Sequence, residues 1–112
     1  ILETKQEGKV YLEDMLKGLQ LIKESVELPR NLKILEDSRQ AQVMFGVKDL
    51  EFLLDNLDEA AANYDSIHHA VLLTNPLSTV YAMLINNKKY TNHYELKVFT
   101  TREAAISWLN SF

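Results

Sequence analysis

Residues 31–54 read NLKILEDSRQAQVMFGVKDLEFLL, and this stretch decides the fold class. Residues 32–37 are a short apolar segment that closes on two acids, which predicts a strand ending there. Residues 43–45 form a second small apolar group, either an extension of that strand or a packed loop. From 46 to about 64 the apolar residues recur at helical spacing. A strand followed by an amphipathic helix predicts one β-α unit of a layered fold.

The same alternation extends towards the N-terminus. Residues 1–7 alternate in polarity and end at Gly8, which predicts a strand and a turn. Residues 11–26 carry apolar side chains at helical spacing, and we expect Pro29 to stop this helix because proline lacks an N–H and restrains the residue before it. Every helix predicted so far therefore follows a predicted strand.

Towards the C-terminus the pattern repeats twice more. Residues 67–74, IHHAVLLT, are nearly continuously apolar, as expected of a central strand covered on both faces. The Asn-Pro pair at 75–76 predicts the start of a third helix over 77–85. Residues 95–99 predict a strand, and Thr100 with Glu103 forms a capping-box pattern before a last helix.

The whole chain, residues 1–112, is therefore predicted to be one domain of order β-α-β-α-β-α-β-α. Strands that alternate with helices across short connections favour parallel pairing through right-handed crossovers. We predict an α/β fold with a mixed, mainly parallel sheet of four to five strands and four helices packed on it.

Composition excludes several classes of function. The chain has 12 basic and 16 acidic residues and a net charge of −4, which disfavours nucleic acid and anionic membranes as partners. It has no cysteine, so disulfides, thiolate metal sites and cysteine nucleophiles are excluded, and a reducing cytoplasm suits it. No apolar run reaches the roughly 18 residues that a membrane span needs. We expect a cytoplasmic protein.

Four segments of the chain form a recognisable pattern: GKVYLEDMLKGL (8–19), LPRNLKILEDSRQAQVMFGVKDL (28–50), AVLLTNPLSTVYAML (70–84) and LKVFTTREAAISWL (96–109). Together they resemble the bacterial SpoIIAA-like group of STAS domains, which is also similar to the CRAL-TRIO lipid-transfer fold. The resemblance covers nearly the whole chain. It implies that the family's first strand precedes residue 1, and is missing from this chain.

The resemblance also bears on regulation. Anti-sigma factor antagonists carry a phosphorylatable serine in an Asp-Ser-Ser-Gly passage, and the matching residues 43–47 here, VMFGV, have no hydroxyl group. Ser38 lies earlier, directly after the predicted strand, and does not match. Phosphorylation acts by adding about two negative charges, so a partner switch driven by phosphoserine is disfavoured.

One candidate anion or ligand site is predicted at the carboxyl ends of the strands, where open α/β sheets bind ligands. Arg39 with Asn75, Ser78 and Thr79, near a helix N-terminus, could hold a phosphate or carboxylate. The alternative is that Asn75 only caps the helix, Ser78 and Thr79 lie in its solvated first turn, and Arg39 pairs with a nearby acid.

The remaining candidates favour no chemistry. His68 and His69 are adjacent in a strand and point to opposite faces, so they cannot bind one metal together, and His93 lies in a polar loop. We predict neither a metal site nor a cofactor. No serine–histidine–aspartate order or paired-carboxylate motif is present, and three glycines supply no nucleotide loop. We predict no catalytic residues.

Two functions are favoured, and a third, that of a hydrolase or transferase, survives only because a single chain can hide a site assembled from distant residues. The leading hypothesis is a non-enzymatic cytoplasmic module that regulates through contacts with a protein partner or as a homodimer. The alternative is a carrier of a small molecule or lipid in an apolar pocket. Two features support it, the likeness to lipid-transfer folds and the apolar group at 43–45. Aromatic and methionine residues could line a pocket or a dimer face, but at helical spacing such residues are more often plain core. They are Tyr11, Tyr64, Tyr81, Tyr90, Trp108, Met15, Met44 and Met83.

Overall fold

The computed structural model describes residues 1–74 and 94–112. Its strands are β1 (Leu2–Val10), β2 (Asn31–Val43), β3 (Ser66–Leu72) and β4 (Tyr94–Phe99). Its helices are α1 (Leu12–Glu24), α2 (Leu50–Ala61) and α3 (Arg102–Leu109), with a single 3₁₀ turn at Val47–Asp49 before α2. The helix predicted over 77–85 lies outside the described residues. No helix within the described ranges is both long and apolar enough to cross a bilayer.

The four strands form one sheet in the order β1-β2-β3-β4, and each neighbouring pair is parallel. The predicted α/β class and parallel pairing are therefore confirmed. Among the described strands there is no antiparallel pair, so the sheet they form is parallel throughout rather than mixed. β2 and β3 are its inner strands, and the pairing of β1 with β2 includes one irregularity between Lys5 and Glu7.

Each face of the sheet has its own helices. Ile67 and Val71 of β3 contribute to clusters with residues of α2 and half-buried residues of α1, whereas Ala70 and Leu72 pack with Ala105 of α3. Successive strand residues point to opposite faces, which produces this division. Ala70, Val71 and Leu72 are completely buried, so the prediction of a central strand covered on both faces is confirmed.

β2 is longer than predicted. The strand was expected to close at residues 36–37, but it continues to Val43, so Ser38 and Arg39 lie within the strand and not after it. Glu36 and Asp37, at which the strand was predicted to end, lie inside β2 because its backbone pairing with β1 continues to the end of both strands. Ser38 is 3% exposed and donates a hydrogen bond to Glu36, which removes the cost of burying its hydroxyl.

Helix ends also differ from the predictions. α1 stops at Glu24, well before Pro29, because Ser25 adopts an extended backbone and its Oγ accepts from the N–H groups of the two residues beyond Val26. Val26, expected in the buried stripe, is 91% exposed. At α3 the N-cap is Thr101, whose side chain accepts from Ala104 N, rather than Thr100.

Candidate ligand-binding cleft

A cavity of about 530 Å³ lies between α1, α2 and the face of the sheet that they cover. Apolar side chains make up most of its lining. They include Leu19, Ile22, Ile34, Leu53, Leu57 and Leu96, drawn from two helices and two strands. Pockets that bind small molecules are commonly of this size and this apolar character.

The cavity exists because α1 does not pack closely on the sheet. α1 is amphipathic, yet none of its residues is fully buried, and its close element neighbour is α2. Met15, Leu19 and Ile22 are only half-buried and line the cavity. The apolar stripe of α1 therefore packs only partly against the core clusters, and the rest of its surface faces the cavity where a helix would ordinarily meet close-packed side chains.

The cavity opens to solvent between α1 and β1, and we call it the cleft. Asp14, Gly18 and Leu21 recur along one side of α1, line the cleft and are exposed, Leu21 by 72%. Thr4 and Lys5 of β1 line the opposite side and are also exposed. A Cβ atom added at Gly18 would have no atom within 4 Å, so this helical position leaves the mouth open.

Polar side chains form a row across the floor of the cleft, with contributions from all four strands. Gln6 comes from β1, Glu36 from β2, His69 from β3 and Tyr94 from β4, and all four line the cleft. His69 is central: its Nε2 lies 3.2 Å from Glu36 Oε1 and its Nδ1 lies 2.5 Å from the Tyr94 hydroxyl. Ser38 Oγ completes the row by donating to Glu36 Oε2 at 2.6 Å.

This arrangement connects a carboxylate, an imidazole and a phenol in one series of hydrogen bonds. Such an order orients the imidazole and polarises the hydroxyl at its end. Ser38, in contrast, bonds the carboxylate of Glu36 and not the imidazole, so it lacks the base contact of a serine nucleophile. The hydrogen-bonded series from Glu36 to Tyr94 can hold a proton in place at Tyr94 and orient a polar ligand group.

Burial sets the electrostatic character of the row. Glu36 is 5% exposed. Its carboxyl group accepts from the Ser38 hydroxyl and lies within hydrogen-bond distance of His69 Nε2, and buried carboxylates require such partners. Gln6 differs: its Nε2 donates to Met15 Sδ at 3.5 Å, and its Oε1 is buried without a hydrogen-bond donor among the described residues. An acceptor left in that condition destabilises a protein by about 1–3 kcal/mol.

The predicted anion site is only partly within the described residues. Arg39 lies in β2, where its Nε and Nη2 donate to the two carboxylate oxygens of Asp37 at 2.9 and 2.8 Å. The side-chain hydrogen bond from Arg39 lowers the pKa of Asp37 to about 2. Asn75, Ser78 and Thr79 lie outside the described residues.

The prediction that His68 and His69 point to opposite faces is confirmed. His68 lies on the α3 face, where its ring stacks on Phe112 at 3.6 Å between centroids and meets Trp108 edge-on at 5.8 Å. No group of three His, Asp or Glu side chains suited to a metal ion occurs in residues 1–74 and 94–112. His93 lies outside those ranges.

The aromatic and methionine residues considered for a pocket or a dimer face do not lie together in the structure. Met15 lines the cleft, Tyr64 is buried in the core, and Tyr11 and Met44 are exposed. Trp108 packs on the opposite face of the sheet, and Tyr81, Met83 and Tyr90 lie outside the described residues. The apolar group 43–45, expected beside a pocket, does not line the cleft: Val43 and Phe45 pack against the cluster that contains Leu50.

Sequence reasoning missed Gln6, Glu36 and Tyr94 as parts of a site. The sequence of β2 contained a signal for Glu36. Leu32, Ile34, Glu36 and Ser38 are alternate residues of a strand, so their side chains lie on the same face. Polar residues that continue the buried face of a strand require partners there. Ending the strand at residue 37 concealed that pattern.

Comparison of the chain with models of protein families, with curated proteins and with solved structures finds no match. The resemblance to SpoIIAA-like STAS domains therefore rests on the quoted segments alone. It stays a prediction, as does the regulatory role through a protein partner or a second copy that it implies.

Proposed function

We propose that the protein is a non-enzymatic binding protein that holds a small, mainly apolar ligand in the cleft. The observation that carries this proposal is the cavity of about 530 Å³ beneath a helix with no fully buried residue. Apolar lining with a few converging polar groups is the usual form of a small-molecule site. This is the carrier function that the sequence left as an alternative.

The energetics favour occupancy. Met15, Leu19 and Ile22 of α1 are half-buried, and an apolar ligand would remove their remaining surface from water. Each square ångström of apolar surface so removed contributes about 25 cal/mol. The ligand would therefore replace the close packing that α1 lacks, and would stabilise the native protein by mass action.

The proposal assigns no catalytic step. The hydroxyl of Ser38 is bonded to a carboxylate and that of Tyr94 to an imidazole, and both fit the positioning of a ligand. The floor then fixes the orientation of the ligand, while the aliphatic walls provide most of the affinity.

The test is to fill the mouth of the cleft without harming the fold. In Gly18→Leu the new side chain starts in open space, and replacing glycine within a helix favours folding by up to about 1 kcal/mol. Lys17→Leu is the matched control, because Lys17 is exposed on α1 and does not line the cleft. The readout is displacement of an environment-sensitive dye by dodecanol.

We expect the wild type and Lys17→Leu to bind dodecanol, and Gly18→Leu to bind it at least about tenfold more weakly, which corresponds to about 1.4 kcal/mol. Thermal unfolding of Gly18→Leu should occur at or above the wild-type temperature, so that lost binding is not lost structure. Equal binding by all three proteins, or binding by none, would refute the proposed site.

A further inference from the structure

We propose that the polar end of the bound ligand is a hydrogen-bond donor, an alcohol or an amine, and not a carboxylate. The inference rests on the proposed function and specifies the chemical class that the cleft accepts. It follows from the directions in which the protons of the polar row point.

The protons of Ser38, His69 and Tyr94 are directed along the row towards Glu36. A carboxylate only accepts hydrogen bonds, so Ser38 Oγ donates to Oε2 and His69 Nε2 donates to Oε1. With its proton on Nε2, the imidazole accepts at Nδ1, and the Tyr94 hydroxyl is the donor there. The side-chain protons of Ser38, His69 and Tyr94 are thus already committed, and a ligand oxyanion would find no donor among these three groups.

Gln6 provides an acceptor at the β1 end of the same floor. Its amide nitrogen is held by Met15 Sδ, and its Oε1 has no donor among the described residues. A rotation of the terminal amide, which breaks the weak bond to Met15 Sδ, would turn this oxygen towards the cleft that Gln6 lines. A ligand hydroxyl or ammonium would give the oxygen the donor it lacks, whereas a carboxylate or an ester would not.

The competing arrangement would have Lys5 bind an anionic head group. Among the described lining residues Lys5 is the only lysine or arginine. Its ammonium already lies 2.8 Å from Glu7 Oε1, and both side chains are more than half exposed. An exposed, paired cation adds little binding free energy in water, so the acceptors of the floor determine the preference.

The experiment compares four ligands with the same apolar chain: dodecanol, dodecylamine, dodecanoate and methyl dodecanoate, each below its micelle-forming concentration. Binding is measured by dye displacement at mildly alkaline pH. Gln6→Met removes the acceptor at nearly constant shape. Gln40→Met is the matched control, because Gln40 is exposed on β2 and does not line the cleft.

We expect the alcohol and the amine to bind at least about tenfold more tightly than the carboxylate and the ester, the effect of one hydrogen bond that the poorer ligands cannot make. Gln6→Met should reduce this preference and Gln40→Met should retain it. A preference that survives Gln6→Met would overturn the role of Gln6.

The outcomes separate this inference from the proposed function. Suppose that all four ligands bind equally, or that dodecanoate binds best, while Gly18→Leu still blocks binding. The cleft is then a binding site, but the inferred preference for a hydrogen-bond donor is wrong. If no ligand binds the wild type, both the proposed function and the inferred preference for a hydrogen-bond donor are wrong.

Discussion

Glu36 illustrates how a single residue links the sheet to the cleft. Its carboxylate accepts from Ser38 and His69 while the residue is 5% exposed. We predict that Glu36→Leu lowers the free energy of unfolding at neutral pH by about 2 kcal/mol, because the buried Ser38 hydroxyl and the half-buried His69 imidazole lose their partner. Urea denaturation measures this.

The control for that substitution is Glu13→Leu in the exposed first turn of α1, which should change stability by no more than about 0.5 kcal/mol. If Glu36→Leu leaves stability unchanged or increases it, the hydrogen-bonded row does not contribute to folding as described.

Asp37 and Arg39 form the best-defined ion pair of β2, and its effect depends on pH. Arg39 lowers the pKa of Asp37 from 3.8 to about 2. A lowered folded-state pKa stabilises the protein above the unfolded-state value, and this contribution is lost as pH falls through the folded-state value. Arg39 is 42% exposed, so screening limits the effect to about 1 kcal/mol.

We therefore predict that Asp37→Asn destabilises the protein by up to about 1 kcal/mol at neutral pH, and that this difference disappears as pH falls from about 4 to about 2. A double-mutant cycle with Arg39→Met, followed by urea denaturation across that range, measures the coupling. A coupling that is constant with pH would contradict the assignment of the shift to Arg39.

Among the elements, α1 is the least tightly packed against the sheet, and its C-terminal end is the better anchored. Tyr64 Oη donates to Ile22 O at 2.6 Å, Arg30 Nη2 donates to Ser25 O at 3.0 Å, and Lys23 pairs with Glu59. Further towards the N-terminus, Met15 accepts a weak bond from Gln6 beside the cleft.

Removing one anchor should loosen that end of α1. Tyr64→Phe keeps the buried ring and deletes the hydroxyl that Ile22 accepts from. We predict faster hydrogen exchange for the amides in the C-terminal half of α1, with α3 unchanged, as expected of local opening. Uniformly faster exchange in α1 and α3 would show global destabilisation and would count against a local anchor.

The elements also show what the sequence can and cannot predict. Local periodicity correctly predicted the alternation of strands and helices, the parallel pairing, and the opposite directions of the His68 and His69 side chains. It failed at the end of β2 because Glu36 and Ser38 are buried polar residues, whose partners come from elsewhere in the fold. The end of α1 at Ser25 was missed because a serine side chain, and not Pro29, stops the helix.

At the scale of the whole molecule, the cleft could not have been predicted from the sequence. The stripe of α1 predicts an apolar face but not the distance between that face and the sheet. The polar row takes residues from four strands. Glu36 and His69 are 33 positions apart in the sequence, and His69 and Tyr94 are 25 positions apart. Sites of this kind are assembled by topology, and motif searches do not register them.

The most direct test of the account is to locate dodecanol on the protein by NMR chemical-shift mapping. We predict saturable shifts for the amides of Gly18 and Gln6 and for the His69 ring, all of which line the cleft. The indole N–H of Trp108, on the opposite face of the sheet, should not move. Shifts centred on Trp108, or no saturable shift at the cleft, would contradict the claim that this protein holds a ligand beneath α1.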